Sequence, residues 1–351
     1  VETGAGLDLL RSDLENAGFG LPWEFQSTPA YTEPTNSPYN PGNDTLLDNP
    51  LLIDRPGGVP RALVSEDNSA ASMNNSDYLA IKALNVVLDD TSQKWGLVGR
   101  GNPADPAYPT HDAFPQRLDD LNDGNAGFDP VNDRVIVIRP QVSPGENRQL
   151  IMSGATYFTQ PTAAGLANFA PPAGANDPNG DRYLLYGLNN GAAISRPFNR
   201  TDYYISSTNV PQHCAPGTGV LVKAPANQAD DNFSILPIVD CVADFQVVYY
   251  LDNDGDGGWD TRANASGLNG LTAQQIRERV KTIRCYILTH EGGVDRTYTH
   301  PVNPINVGEV AEDGVTLRAG RAFDLNAAVG AAWINYRWKV YSLAVTPRNL
   351  Q

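Results

Sequence analysis

Long apolar runs are missing from this 351-residue chain. No window approaches the roughly 18 to 20 consecutive hydrophobic residues needed to cross a bilayer, and no basic segment followed by an apolar one opens the chain at Val1. A soluble protein is expected from Val1 to Gln351. Positive charge is also scarce: 25 Lys and Arg stand against 40 Asp and Glu, a net charge of −15. Such a surface repels phosphate backbones and anionic headgroups, so nucleic acid is a poor partner. Cysteine is limited to Cys214, Cys241 and Cys285, whose spacings match no zinc site or redox dithiol.

Enzyme signatures are absent too. There is no phosphate-binding Walker loop, no G-x-G-x-x-G after a strand, no G-x-S-x-G elbow and no H-E-x-x-H. His111, His213, His290 and His300 are scattered among loops and strand ends and read as solvated side chains. The adjacent carboxylates of Asp119 and Asp120 read as loop solvation rather than acid–base machinery. The expectation is a protein that is not an enzyme.

What is present is a 41% hydrophobic chain with 32 Gly and 27 Pro, consistent with a packed but loop-rich protein of two domains or one large β-rich one. Between Gly6 and Gly20 the apolar residues Leu7, Leu10, Leu14 and Ala17 recur at helical spacing, and Gly18 supplies a stop. A helix of three or four turns without an evident N-cap is marginal alone, so it must dock on something. It reads as the second half of a longer helix. A second helix is marked by Thr272 and Gln275 as a capping box and Leu271 against Ile276 as a staple, running to about Val280.

Elsewhere, runs such as "DRVIVIRP", "GVLVKA", "DFQVVYYL", "TIRCYILTH" and "YRWKVYSLAVTP" read as strands. Long Pro, Asn, Asp and Gly-rich loops are expected at 26–69, 101–133 and 160–181. No fixed-period repeat is visible. The architecture expected is α+β: an N-terminal amphipathic helix packed on a mostly antiparallel sheet.

Two places carry chemistry. Cys214 and Cys241 flank strand-like runs; they form either a disulfide in an oxidising compartment or, with Cys285, buried reduced thiols. In "LDNDGDGGWDTR", Asp252, Asp254 and Asp256 occupy the first, third and fifth positions of a calcium loop, Gly258 offers a carbonyl and Asp260 stands at the ninth. Ala263 replaces the bidentate Glu at the twelfth position. The alternatives are a weak calcium site and an Asp/Gly-rich turn without metal.

The segments "LDLLRSDLENAGFGLPW", "SDYLAIKA", "SRPFNRTDYYIS", "VDCVADFQVVYYLDNDGDG", "TIRCYILTHEGG" and "YRWKVYSLAVTPRNL", in this order, resemble the PilW-type minor pilins of type IV pili. The resemblance covers most of the chain and rests on the series rather than any one match. It implies a type IV pilin-like fold, with residues 1–20 as the C-terminal half of a spine helix. Residues 21–351 would form a β-rich head, with two sub-sheets dividing near residue 200. It implies a structural subunit that joins other minor pilins and the major pilin to prime a pilus, at or near its tip, with Leu7, Leu10 and Leu14 as the assembly interface. An apolar half-helix preceding Val1 would anchor it at the periplasmic face of the inner membrane before it enters the extracellular filament. In those compartments a Cys214–Cys241 bridge persists and calcium is available.

A type II secretion pseudopilin is the rival on the same scaffold. A secreted calcium-dependent adhesin or carbohydrate-binding module is the rival of another class, with Trp23, Trp95, Trp259, Trp333 and Trp338 as stacking rings. A secreted hydrolase is a third, without a readable triad.

Overall fold

The computed structural model describes residues 3–25, 27, 29, 31–34, 59–99, 110–114, 127–140, 148–171, 182–191, 193–230 and 232–350. Its largest element is an eight-stranded antiparallel sheet. In chain order its strands are β2 (Leu63–Glu66), β3 (Tyr78–Ala83), β9 (Asn199–Ser206), β10 (Gly219–Pro225), β11 (Leu236–Leu251), β12 (Thr261–Asn264), β13 (Val280–Glu291) and β16 (Arg337–Val345). Their spatial order is β16-β13-β11-β10-β9-β3-β2, with β12 paired to the far end of β11.

A second sheet runs β1-β7-β6-β8-β4-β5, built from β1 (Glu24–Phe25), β4 (Trp95–Gly99), β5 (Thr110–Phe114), β6 (Asp133–Arg139), β7 (Gln149–Leu150) and β8 (Arg182–Asn190). Its pairs are antiparallel except β1 with β7. The ribbon β14 (Ile305–Val310) and β15 (Leu317–Phe323) is the third sheet.

The α+β expectation, a pilin-like spine helix on a sheet, is therefore corrected. Among the described residues the fold is mostly β, with 39% strand in three sheets, 15% helical in all, and four short α-helices. These are α1 (Thr3–Glu15), α2 (Ala163–Leu166), α3 (Ala273–Arg279) and α4 (Leu325–Val329). With 13 residues, α1 is only about 20 Å long, one small element beside sheets that set the architecture. The physical reason is the burden of apolar surface. Strands β3, β9, β10 and most of β11 are buried on both faces, and strands rather than helices supply the core.

The helix ends as its sequence indicates, with Gly18 at φ 81° beyond it. Gly6 is required where α1 crosses β11, since a Cβ there would stand 2.0 Å from the carbonyl oxygen of Ile238. Leu10 and Leu14 are 0% exposed and share one core with Leu221, Phe245, Val247 and Ile283. Asp13, on the same buried side, accepts from Lys223 Nζ at 2.5 Å and from the Tyr203 hydroxyl at 2.6 Å. Burial pushes its carboxyl up, while Lys223 and Tyr203 pull it down.

A second buried charge cluster lies on the neighbouring strands. Glu33 accepts from Lys82 at 2.5 Å and Arg200 at 2.8 Å, and Arg200 also donates to Asp202 at 2.6 Å. Burial opposes the ionised form of Glu33, but Lys82 and Arg200 outweigh it and hold the carboxyl low.

Two of the expected loop regions contain strands: β2 lies within 26–69 and β5 within 101–133. Most of the remainder of those loops lies outside the described residues. Helix α3 matches its expectation, with both arms of the Thr272–Gln275 capping box formed and Ile276 buried. Beyond it, Val280 is the first residue of β13.

Asp13→Ala leaves Lys223 charged and unpaired in the core and is expected to cost about 3 to 5 kcal/mol. The double substitution Asp13→Leu with Lys223→Met, which removes both charges, is expected to recover most of that loss in urea denaturation.

Candidate functional site

The acidic loop is presented by a hairpin. β11 ends at Leu251 and β12 returns opposite it at Thr261, and Asp260 N–H closes the loop onto the Leu251 carbonyl at 2.8 Å. Left-handed turns at Gly255 (φ 80°) and Gly257 (φ 91°) let the chain curl around its own carboxylates. Asp252, Asp254 and Asp260 each bring a carboxylate oxygen within 4.8 Å of the others. Asp256 is not in that group; its Oδ1 accepts from Gly258 N at 2.7 Å.

These carboxylates are already engaged by the protein. Asp252 accepts from Gly255 N at 2.6 Å and Gly257 N at 3.0 Å, and Lys281 Nζ stands 3.3 Å from its Oδ2. Burial works to raise its pKa, and the two N–H groups with Lys281 overcome it, so the carboxyl lies below its usual range. Asp260 Oδ2 accepts from Asn253 N at 2.6 Å and Asp254 N at 3.3 Å. Mutual repulsion among the aspartates is thus offset locally, and the oxygen donors suit a hard cation.

Trp259 projects from this loop and is 44% exposed, with its edge toward Tyr250 and Arg262 over its ring at 4.3 Å. Trp338 is buried and Trp23, Trp95 and Trp333 are partly buried, so Trp259 is the most open of the five rings.

Cys214 and Cys241 are joined in a disulfide, with Cα atoms 4.9 Å apart, and Cys285 is a free, buried thiol. Burial pushes the Cys285 thiol well up, which makes it a core residue rather than a nucleophile. The bridge fits an oxidising compartment. Among the described residues no helix is long and apolar enough to cross a membrane.

Leu7, Leu10 and Leu14 do not present an open face. Leu10 and Leu14 are fully buried in the chain's own core and Leu7 is half-buried against it. The exposed side of α1 consists of Gly4, Ala5, Asp8, Arg11 and Ser12.

The histidines divide. His213 is exposed and His300 half-buried, whereas His290 is buried, contrary to its reading as a solvated side chain. Flanking β-branched and aromatic residues in "TIRCYILTH" were the available signal. His111 lies in β5, and Asp119 and Asp120 lie outside the described residues.

Three polar clusters escaped the sequence reading. One is Asp13 with Lys223 and Tyr203, and the second is Glu33 with Lys82, Arg200 and Asp202. In the third, Arg321 of β15 donates to Asp244 at 2.5 Å and 3.0 Å and to the carbonyl oxygens of Asn74 and Asn75 at 3.0 Å and 2.8 Å, clamping the ribbon to the larger sheet. Spacing carries no trace of these contacts because the partners come from distant segments.

No protein-family model, curated protein or solved structure matches the chain.

The disulfide closes a loop of sequence separation 27. Replacing Cys214 and Cys241 together by Ser is expected to lower stability by about 3 to 4 kcal/mol through the entropy of the unfolded chain. Denaturant titration of the double variant against the parent protein checks this.

Proposed function

We propose that this chain is a structural subunit of an extracellular filament, a minor pilin that joins other minor pilins and the major pilin to prime assembly. The observation that carries the reading is the ordered series of pilin-like segments, and the contacts of α1 with the body are compatible with it. Leucine packing, the buried Asp13–Lys223–Tyr203 contact and a hydrogen bond from Arg348 N to the Glu15 carbonyl at 3.0 Å fix the helix axis relative to the head. A helix held this way can transmit position from one subunit to the next while its open face, Asp8, Arg11 and Ser12, meets a neighbour.

Photo-crosslinking residues placed at Asp8 and Arg11 in the native host are expected to yield adducts with other filament subunits. Deleting the gene is expected to reduce surface filaments. Filaments unchanged in number, together with no adducts, would defeat the proposal.

The same reading assigns calcium to the acidic loop. Its support is the convergence of three carboxylates within 4.8 Å on one tight turn. Adding calcium to chelator-treated protein is expected to raise Tm by several degrees, because an ion that binds only the folded state stabilises it. Asp254→Asn with Asp260→Asn is expected to abolish the rise. A Tm indifferent to calcium returns the loop to a metal-free turn.

A further inference from the structure

His290 is the next-to-last residue of β13 and is 4% exposed. Its ring lies against Tyr336 at 4.6 Å and Trp338 at 5.1 Å between centroids. Nε2 accepts the backbone N–H of Ala215 at 2.9 Å, which leaves the ring proton on Nδ1, where it is donated to the Gly292 carbonyl at 3.0 Å. Both bonds are made together only by the neutral Nδ1–H tautomer.

Ala215 is the point where an otherwise irregular segment meets the sheet. It packs in a second core with Leu325, Val329, Tyr336 and Trp338, and its carbonyl accepts from Thr218. Two residues on, Gly217 passes so close to α4 that a Cβ would stand 2.0 Å from the Ala328 carbonyl oxygen. On the other side, Cys214 ties the segment covalently to β11.

We propose that His290 is an acid-released latch. In its neutral form it holds residues 211–218 against the end of β13 and against α4. Protonation of Nε2 sets an N–H against the Ala215 N–H, breaks the contact and frees the segment, which stays tethered at Cys214. The surface formed by 211–218 then differs between neutral and acidic surroundings, while the sheets beneath it do not change.

The groups around the ring set the direction of the response. Burial, the dominant influence, disfavours the imidazolium and carries the pKa down to about 4; the Gly292 carbonyl favours the charged form and His213, from the latched segment itself, opposes it. Tyr336, just before β16, and Trp338 within it bring uncharged rings, and the Arg337 guanidinium is paired with Asp295 at 2.8 Å. Glu291, next along β13, is taken by Lys339 at 3.5 Å and the Tyr341 hydroxyl at 2.8 Å. No carboxylate is thus positioned to stabilise the charged ring among these neighbours.

Because the folded pKa lies below the ordinary value of 6.5, the unfolded chain takes up the proton first. The contribution of His290 to stability is complete above pH 6.5 and is lost as pH falls toward 4.

Amide hydrogen exchange, corrected for its intrinsic pH dependence, tests this on the intact disulfide-bonded protein. Protection of residues 213–218 is expected to fall at least tenfold relative to β11 between pH 7 and pH 4. In His290→Gln, whose amide can accept from Ala215 and donate to Gly292 without titrating, that fall is expected to vanish. An equal fall in the variant, or unchanged protection in the parent, overturns the latch. Should the variant not fold, ¹⁵N spectra of the parent decide: at pH 7 they must show the Nδ1–H tautomer, and the Ala215 amide must shift with the His290 titration.

Discussion

Backbone hydrogen bonding along β11 is the constraint from which most of the molecule follows, because most of its 16 residues are buried and their backbone groups must be satisfied on both edges. β13 covers one edge from Val242 to Leu251. The other edge is divided: β10 covers Leu236 to Val242 and β12 covers Val248 to Leu251. Between them the turn before β3 fills the gap. Asp77 N–H donates to the Phe245 carbonyl at 2.9 Å and Asp77 Oδ2 accepts from Val247 N–H at 2.7 Å. One Asp side chain stands in for a missing strand, and burial, against the pull of that N–H, carries its carboxyl pKa to about 8.

The acidic loop, the disulfide and the ribbon all attach to this strand. Its far end leads into the acidic loop, and its bulge at Val242 to Asp244 lies next to Cys241, which adopts φ 57° at the disulfide. Asp244 in the bulge receives Arg321 from the ribbon. The outer elements are thus held to a continuous backbone ladder by polar, covalent and apolar contacts.

Buried charge is the second theme. Lys82, Arg200 and Lys223 lie on adjacent strands and are almost wholly buried, each beside a carboxylate. Paired charges of this kind contribute less to net stability than to uniqueness of register, since a strand slipped by one residue would turn them to the wrong face. Asp13 extends the same logic to α1 and makes the helix part of the head.

Local signals were legible where one segment satisfies itself. The capping box of α3, the strands β6, β10, β13 and β16 and the turn of "DNDGDGG" all follow from neighbouring residues whose preferences agree, so the sequence alone determined them. Strand β9 ("NRTDYYIS") was obscured by its polar residues, whose partners arrive from Glu33, Asp13 and Tyr78, far away in the chain. The helical stripe of Leu7, Leu10 and Leu14 was correctly an apolar face, but periodicity cannot say what covers it. Only the tertiary structure decided that Leu10 and Leu14 serve the chain's own core, that His290 is enclosed and that a mostly β architecture prevails. Those outcomes depend on contacts between residues distant in sequence, and the spacing of residues within a segment holds no information about them.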